Sequence, residues 1–333
     1  VVEATEFATL TLNAGTQYAP GAPVAGTVLI TDDDNAIVTV AFAASPSETG
    51  PTAGTYTIST TSTLEVAVTV NFTMSGAAST VIGADFTLSG AAYAGPTGTA
   101  TLSIGTGPRS VVVTLTPNND TIVESNESAT LTLTAGTKYS LGAPASGSLT
   151  IADNDTATLS VIAAGAPAEG GATATYTITT ASTLEIALSV NFTMSGAASS
   201  TPGTDYTLNS TTFVGPAGTA TLPIGVTPSV IVTLTTVNDL LVEGPEDAIF
   251  TLNGGTQYVV GAPANATRTI ADNDSSIITM TQSGTPGETG PALGTYTITA
   301  TPQPAYAMSV NVSLSGVAQF GAAFDYTVSG AGI

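Results

Sequence analysis

The chain has 333 residues, 24 acidic and three basic (Arg109, Lys138, Arg268), a formal charge of −21, and no His, Cys or Trp. That balance argues against a nucleic-acid backbone, which must be met by clustered Lys and Arg, and against an anionic membrane surface for the same reason. Without cysteine there is no disulfide framework or thiolate chemistry, and divalent cations are the natural complement of the charge. Charged residues make up only 8%, against roughly 25% in an ordinary soluble domain. The apolar runs are short, as in "VVVTL" (111–115), so nothing approaches the ~18 apolar residues a spanning helix needs. With no initiating Met and no signal peptide, the sequence reads as an excerpt from a longer chain or a processed product.

Taken in chain order, the elements repeat. "VEATEFATLTLNAGTQYAPGAPVAGTVLITDDD" (2–34) returns as "VESNESATLTLTAGTKYSLGAPASGSLTIADND" (123–155) and as "VEGPEDAIFTLNGGTQYVVGAPANATRTIADND" (242–274). Between these, "TLEVAVTVNFTMSGAAS" (63–79) returns as "TLEIALSVNFTMSGAAS" (183–199) and more loosely as "AYAMSVNVSLSGVA" (305–318). The unit is about 120 residues. Residues 1–34 are the C-terminal part of one module, 36–155 and 157–274 are complete modules, and 276–333 is the N-terminal part of a further one. Only Asn35, Thr156 and Ser275 separate an acidic triplet from the next strand.

Within a module the hydrophobic period is two. In "SVNFTM", Val190, Phe192 and Met194 alternate with Asn191 and Thr193, placing one row in a core and the other in water. "TATYTIT" (173–179) and "TATLPI" (219–224) follow the same rule, and Thr and Val suit half-buried pleated positions. Gly and Pro punctuate at "GAPA" (142–145, 261–264) and "GPAG" (215–218). Six to eight short strands per module and no credible helix predict an all-β chain of tandem Ig-like antiparallel β-sandwiches, arranged head to tail. A sandwich of this size has a core of its own, so metal is not required for folding.

The acidic residues recur with the repeat. Setting aside Glu65, Glu185 and Asp247 leaves 21 of 24 at reused positions: the "ETG"/"EGG" turn, the "ADF"/"TDY" step, the "ND-x-x-VE-x-x-E" stretch and the closing "D-x-D". Like charges gathered at one end of a sandwich repel unless a cation sits among them. Ca²⁺ takes about six to eight oxygen ligands from carboxylates and carbonyls, whereas zinc would call for His or Cys. The pattern therefore points to Ca²⁺ sites. Solvated loop acids are the plain alternative, and they would scatter under substitution.

The whole unit resembles a Calx-beta domain, the calcium-binding sandwich of sodium–calcium exchangers, an integrin subunit and very large surface proteins. The resemblance rests on "GADF" (83–86), "GTDY" (203–206) and "AFDY" (323–326), on "NDTIVESNE" (119–127) and "NDLLVEGPE" (238–246), and on the closing "ITDDD", "IADND" and "IADND". It implies one calcium site from Glu48, Asp85, Asp120, Glu124, Glu127, Asp153 and Asp155. A second would be built from Glu169, Asp205, Asp239, Glu243, Glu246, Asp272 and Asp274. Asn119, Asn238, Asn154 and Asn273 stand where the fullest pattern carries Asp. Fewer charged ligands lower affinity, so one or two ions per junction are expected. The leading fragment (Glu3, Glu6, Asp32, Asp33, Asp34) and the trailing one (Glu288, Asp325) each hold only part of a site, and neither is expected to bind ions well alone.

No enzyme activity is expected, since hydrolytic triads need a His or Cys base and no aromatic-lined cleft accompanies the paired carboxylates. Sequons at Asn71, Asn119, Asn126, Asn191, Asn209, Asn265 and Asn311 suit a secreted protein, although a Thr-rich repeat generates them by chance. Two functional classes remain. The first is an extracellular or cell-surface stalk, adhesin or filament whose joints are stiffened by calcium. Its expected partners are adjacent modules of the same longer chain and, for a filament, laterally associated copies. The alternative, which the exchanger resemblance implies, is a cytosolic calcium-sensor module of a membrane transporter. Such a sensor calls for paired domains of unequal affinity, whereas these copies are nearly interchangeable in sequence.

Overall fold

A computed structural model describes all residues except 82, 202, 210–211, 291, 322–324 and 331–333. Among the described residues the regular structure is β-strand throughout, with no helix, so the fold is all-β as the period-two pattern requires. The chain divides into two compact units. The first is Val1–Ala157 with Ser182–Ile186 and Ile224–Val226; the second is Thr158–Ala181, Ala187–Pro223 and Thr227–Ile333.

The first unit contains a sandwich of two five-stranded sheets. One has the order Ser146–Ile151, Glu127–Thr134, Val68–Gly76, Thr97–Leu102, Ala92–Tyr93. The other has the order Tyr139–Leu141, Ala36–Ala43, Gly54–Thr60, Arg109–Pro117, Phe86–Ser89. Alternation supplies the core: Tyr56 and Ile58 from one sheet face Val70, Phe72, Met74 and Leu131 from the other, all buried. Each large side chain so placed contributes roughly 1.5–3 kcal/mol from lost contact with water. The Tyr56 hydroxyl donates to the Ala129 carbonyl at 2.6 Å, tying one sheet to the other. One edge departs from the antiparallel expectation, because Tyr139–Leu141 runs parallel to Ala36–Ala43.

The second unit repeats the arrangement. Its sheets run Tyr206–Leu208, Ser229–Thr236, Ala172–Thr180, Ala157–Ala168, Tyr258–Val260 and Thr212–Val214, Ala217–Leu222, Leu188–Ser195, Glu246–Leu252, Asn265–Ile270. Val190, Phe192 and Met194 face inward as their spacing predicts. Tyr176 donates to the Ala248 carbonyl at 2.8 Å, the counterpart of the Tyr56 bond.

Two smaller pieces complete the chain. In the first unit Glu6–Thr11 pairs with Ala25–Ile30, and in the second Ile277–Ser283 pairs with Thr295–Thr301. Strand register decides where the loops emerge. Glu127 faces Ile151, Gly76 faces Ala129 and Phe86 faces Pro117, so the loops after Gly76, Pro117 and Ile151 leave at one end of the sandwich. The turn after Ala36–Ala43 joins them through a bridge from Ser47 to Ala152.

Candidate metal-binding site

That end gathers the carboxylates of residues 36–155. The Glu48 backbone N–H donates to the Ala152 carbonyl at 3.1 Å, fixing the turn against the closing triplet. Its side chain is only 3% exposed, and Glu48 Oε2 has no hydrogen-bond partner among the described residues. Carboxylate oxygens of Glu48, Asp153 and Asp155 lie within 4.8 Å of one another. Burial, then the charges of Asp153, Asp120, Asp155 and Asp85, pushes the Glu48 carboxyl up to about 7. Asp155 is raised by burial and by Asp153 and Asp120, and its Oδ2 is also buried without a partner.

The remaining members sit beside this cluster. Asp85 accepts the Ser79 N–H, and Asp120 accepts the Ile122 N–H at 2.7 Å, each carboxylate turning its own loop. Asp153 Oδ1 accepts the Asp155 N–H at 3.2 Å and Oδ2 the Glu124 N–H at 3.4 Å. Glu124 is 8% exposed; burial and then the charges of Glu127, Glu185, Asp85 and Asp120 push it up to about 8. Glu127 rises to about 7 through burial and then its hydrogen bond with Asp85. The structure thus brings all seven residues expected here to one end of the sandwich.

The second set assembles in the same way within the second unit. Glu169, Asp239 and Asp274 form one group with oxygens within 4.8 Å, and Asp205, Glu243 and Glu246 form another. Glu169 Oε2 and Asp274 Oδ2 are buried without partners among the described residues. Asp272 joins through its oxygens, which accept the Glu243 N–H and the Asp274 N–H, each at 2.9 Å. Burial comes first among the causes that raise Glu169, Glu243 and Glu246, the last to about 7.

The asparagines brace the loops. Asn154 Nδ2 donates to Asn119 Oδ1 at 2.8 Å, and Asn273 to Asn238 at the same distance. One residue that the repeat pattern sets aside enters the site. In the first unit Ile122–Val123 pairs in parallel with Thr183–Leu184, and the Glu185 N–H donates to the Val123 carbonyl at 3.1 Å. Val123 and Leu184 are buried, so Glu124 and Glu185, each one step on, share the opposite side of the ladder. The same bond links Glu65 to Val2 at 2.9 Å in the first unit, and Ala305 to Val242 at 2.9 Å in the second. The sequence carried one signal for Glu185: the phrase "TLE" (183–185) repeats "TLE" (63–65), with Glu65 in the same place.

The donor set is all oxygen, is rich in charge and contains buried oxygens that no donor among the described residues satisfies. It fits Ca²⁺ and not a metal that prefers nitrogen or sulfur. Among the described residues no helix is long and apolar enough to cross a membrane.

No family model and no curated protein matches the chain. Among solved structures, the apo form of a Calx CBD1 domain is 20% identical, with 34% of this chain and 98% of that one covered at a TM-score of 0.26. The calcium binding domain CBD12 of CALX1.1 is 12% identical, with 68% and 95% covered at 0.27. CBD12 from CALX1.2 is 13% identical, with 70% and 99% covered at 0.26. At such scores these are likenesses only, and the fold and site rest on this chain's own geometry.

Proposed function

We propose that this chain is a non-enzymatic, calcium-binding structural segment of an extracellular repeat protein, in which ions held at the acidic module ends stiffen a stalk or filament. The observation that carries the reading is Glu48, buried to 3% exposure with an unpartnered oxygen beside Asp153 and Asp155. A carboxyl so placed is costly to ionise unless a cation answers it. No basic side chain is at hand: Arg109 donates to the Thr106 carbonyl, Arg268 to that of Ala163 and Lys138 to that of Glu3. Hydrolysis by a His- or Cys-dependent triad is disfavoured because the chain has neither residue.

The mechanical role follows from connectivity. Asp155 is followed by Thr156 and then at once by the strand Ala157–Ala168. Coordinating the triplet would fix the direction in which that strand leaves, whereas mutual repulsion would loosen it. Small-angle scattering of the full chain, with calcium and then with chelator, tests this reading. The maximum dimension should be larger and its distribution narrower with the ion. Identical scattering, with calcium uptake established separately, would remove the mechanical role and favour the second reading, a calcium sensor. One observation favours that alternative: the two acidic ends are unequally buried, with Glu48 buried and Glu169 only half-buried.

A further inference from the structure

One loop differs between the copies of the repeat in a way that carries chemistry. It reads "LNAGTQY" (12–18), "LTAGTKY" (133–139) and "LNGGTQY" (252–258). Its second position is Asn13, Thr134 and Asn253, and its third is Ala14, Ala135 and Gly254. Only the last copy follows an amide side chain with glycine, and Asn253–Gly254 is the one Asn-Gly step in the sequence.

Strand Glu246–Leu252 starts among the carboxylates and rises about 20 Å, so this loop leaves the sandwich at the end away from the candidate metal site. Its two flanks grip the neighbouring strand. The Asn253 N–H donates to the Asn191 carbonyl at 2.9 Å, and the Tyr258 hydroxyl accepts the Asn191 N–H at 2.9 Å. Between these anchors Gly254, Gly255 and Thr256 are exposed. Among the described residues no hydrogen bond holds the Asn253 side-chain amide or the Gly254 N–H. Asn is a thermolabile residue, and a following glycine has no Cβ to obstruct attack on its amide carbon.

We propose that Asn253 is a self-modifying site, converted to aspartate and isoaspartate by attack of the Gly254 nitrogen on its side-chain amide carbon. The Gly254 N–H gives its proton to solvent, the new N–Cγ bond closes a succinimide, and the amide nitrogen takes up a proton and leaves as ammonia. Water then opens the ring at either carbonyl. Attack at Cγ gives aspartate, and attack at the backbone carbonyl gives isoaspartate, whose main chain runs through Cγ. Nothing is oxidised or reduced, and water is the only co-reactant. Either product places a negative charge on a loop that carries none. Isoaspartate also lengthens the main chain by one carbon between the two anchors on Asn191. The other copies are internal controls: Thr134 has no amide, and the Ala14 side chain hinders attack on Asn13.

The test holds the full folded chain in mildly alkaline buffer, then digests it for mass spectrometry, with isoaspartate methyltransferase labelling as a second readout. Acid should accumulate at position 253 in both isomeric forms while Asn13 remains an amide. Gly254→Ala restores the residue of the other copies, and its Cβ meets no atom within 4 Å. That variant should keep the strand signal in circular dichroism and slow conversion by roughly an order of magnitude. Calcium and chelator should leave the rate unchanged, so the outcome is independent of the calcium reading. An Asn253 that stays an amide in the folded chain while the urea-unfolded chain converts would overturn the proposal. Equal conversion at Asn13, or an undiminished rate in Gly254→Ala, would overturn it as well.

Discussion

The acidic ends of the two units use the same residue types in the same order but differ in enclosure. In the first, Glu48 and Glu124 are buried, and Glu48, Glu124 and Glu127 are pushed up to about 7, 8 and 7. In the second, Glu169 and Glu243 are only half-buried, and Glu246 alone reaches about 7. Part of the contrast comes from the neighbouring segment. Glu185 adds its charge beside Glu124, whereas Ala305 holds the corresponding backbone position next to Val242. Near-identical motifs therefore give sites with different proton affinities, because the field at a carboxylate is set by everything packed around it.

The largest effect should come from removing one end alone. Asp153→Ala with Asp155→Ala is expected to abolish calcium uptake by the first site and leave the second intact, which calorimetry would register as a loss of about half the bound ions. A uniform loss would show that the two ends are not independent. Chelation comes next. At calcium a hundredfold above its dissociation constant, a site contributes about 2.7 kcal/mol to stability. Its removal should lower the melting temperature by roughly 5–15 °C. The strand signal in circular dichroism should persist below the melt, because Tyr56, Phe72 and Leu131 supply a core without metal.

Acidity should separate the ends further. These glutamates hold folded values above their unfolded one, so in chelator their contribution is full below about pH 4.5 and is lost as pH rises through about 7 to 8. The metal-free melting temperature should fall across that window, more for the first unit than for the second. Calcium should reverse the trend, since ionised carboxylates are its ligands, and proton release on binding at pH 7 should be greater at the first end. The smallest effect belongs to Glu185→Gln. Calcium affinity at the first end should drop a few-fold while the metal-free form becomes slightly more stable. Those opposite signs would separate a charge acting on the site from a merely structural side chain.

Much of this was legible in the sequence, and the reasons are particular. Val190, Phe192 and Met194 alternate with polar residues, and a local rule of period two suffices to face them inward. The seven carboxylates of each set recur with the repeat, but that they meet at one sandwich end was implied only by the resemblance to Calx-beta domains. Enclosure was not legible. Glu48 and Glu169 sit in similar turns, yet only the packed structure distinguishes their burial. Glu185 lay outside the motif because a parallel pairing over some sixty positions, Val123 with Leu184, brings it in. The parallel edge at Tyr139–Leu141 has the same origin, since strand direction across a long connection leaves no mark on periodicity.

The central claim is that buried oxygens such as Glu48 Oε2 are there to meet calcium. A crystal structure of the chain grown with calcium tests this most directly. The account predicts an ion at each acidic end with oxygen ligands at about 2.3–2.6 Å, including Glu48 with Asp153 and Asp155 in the first and Glu169 with Asp274 in the second. Ordered water in those places, with Glu48 protonated and donating a hydrogen bond to Asp153 at saturating calcium, would contradict it.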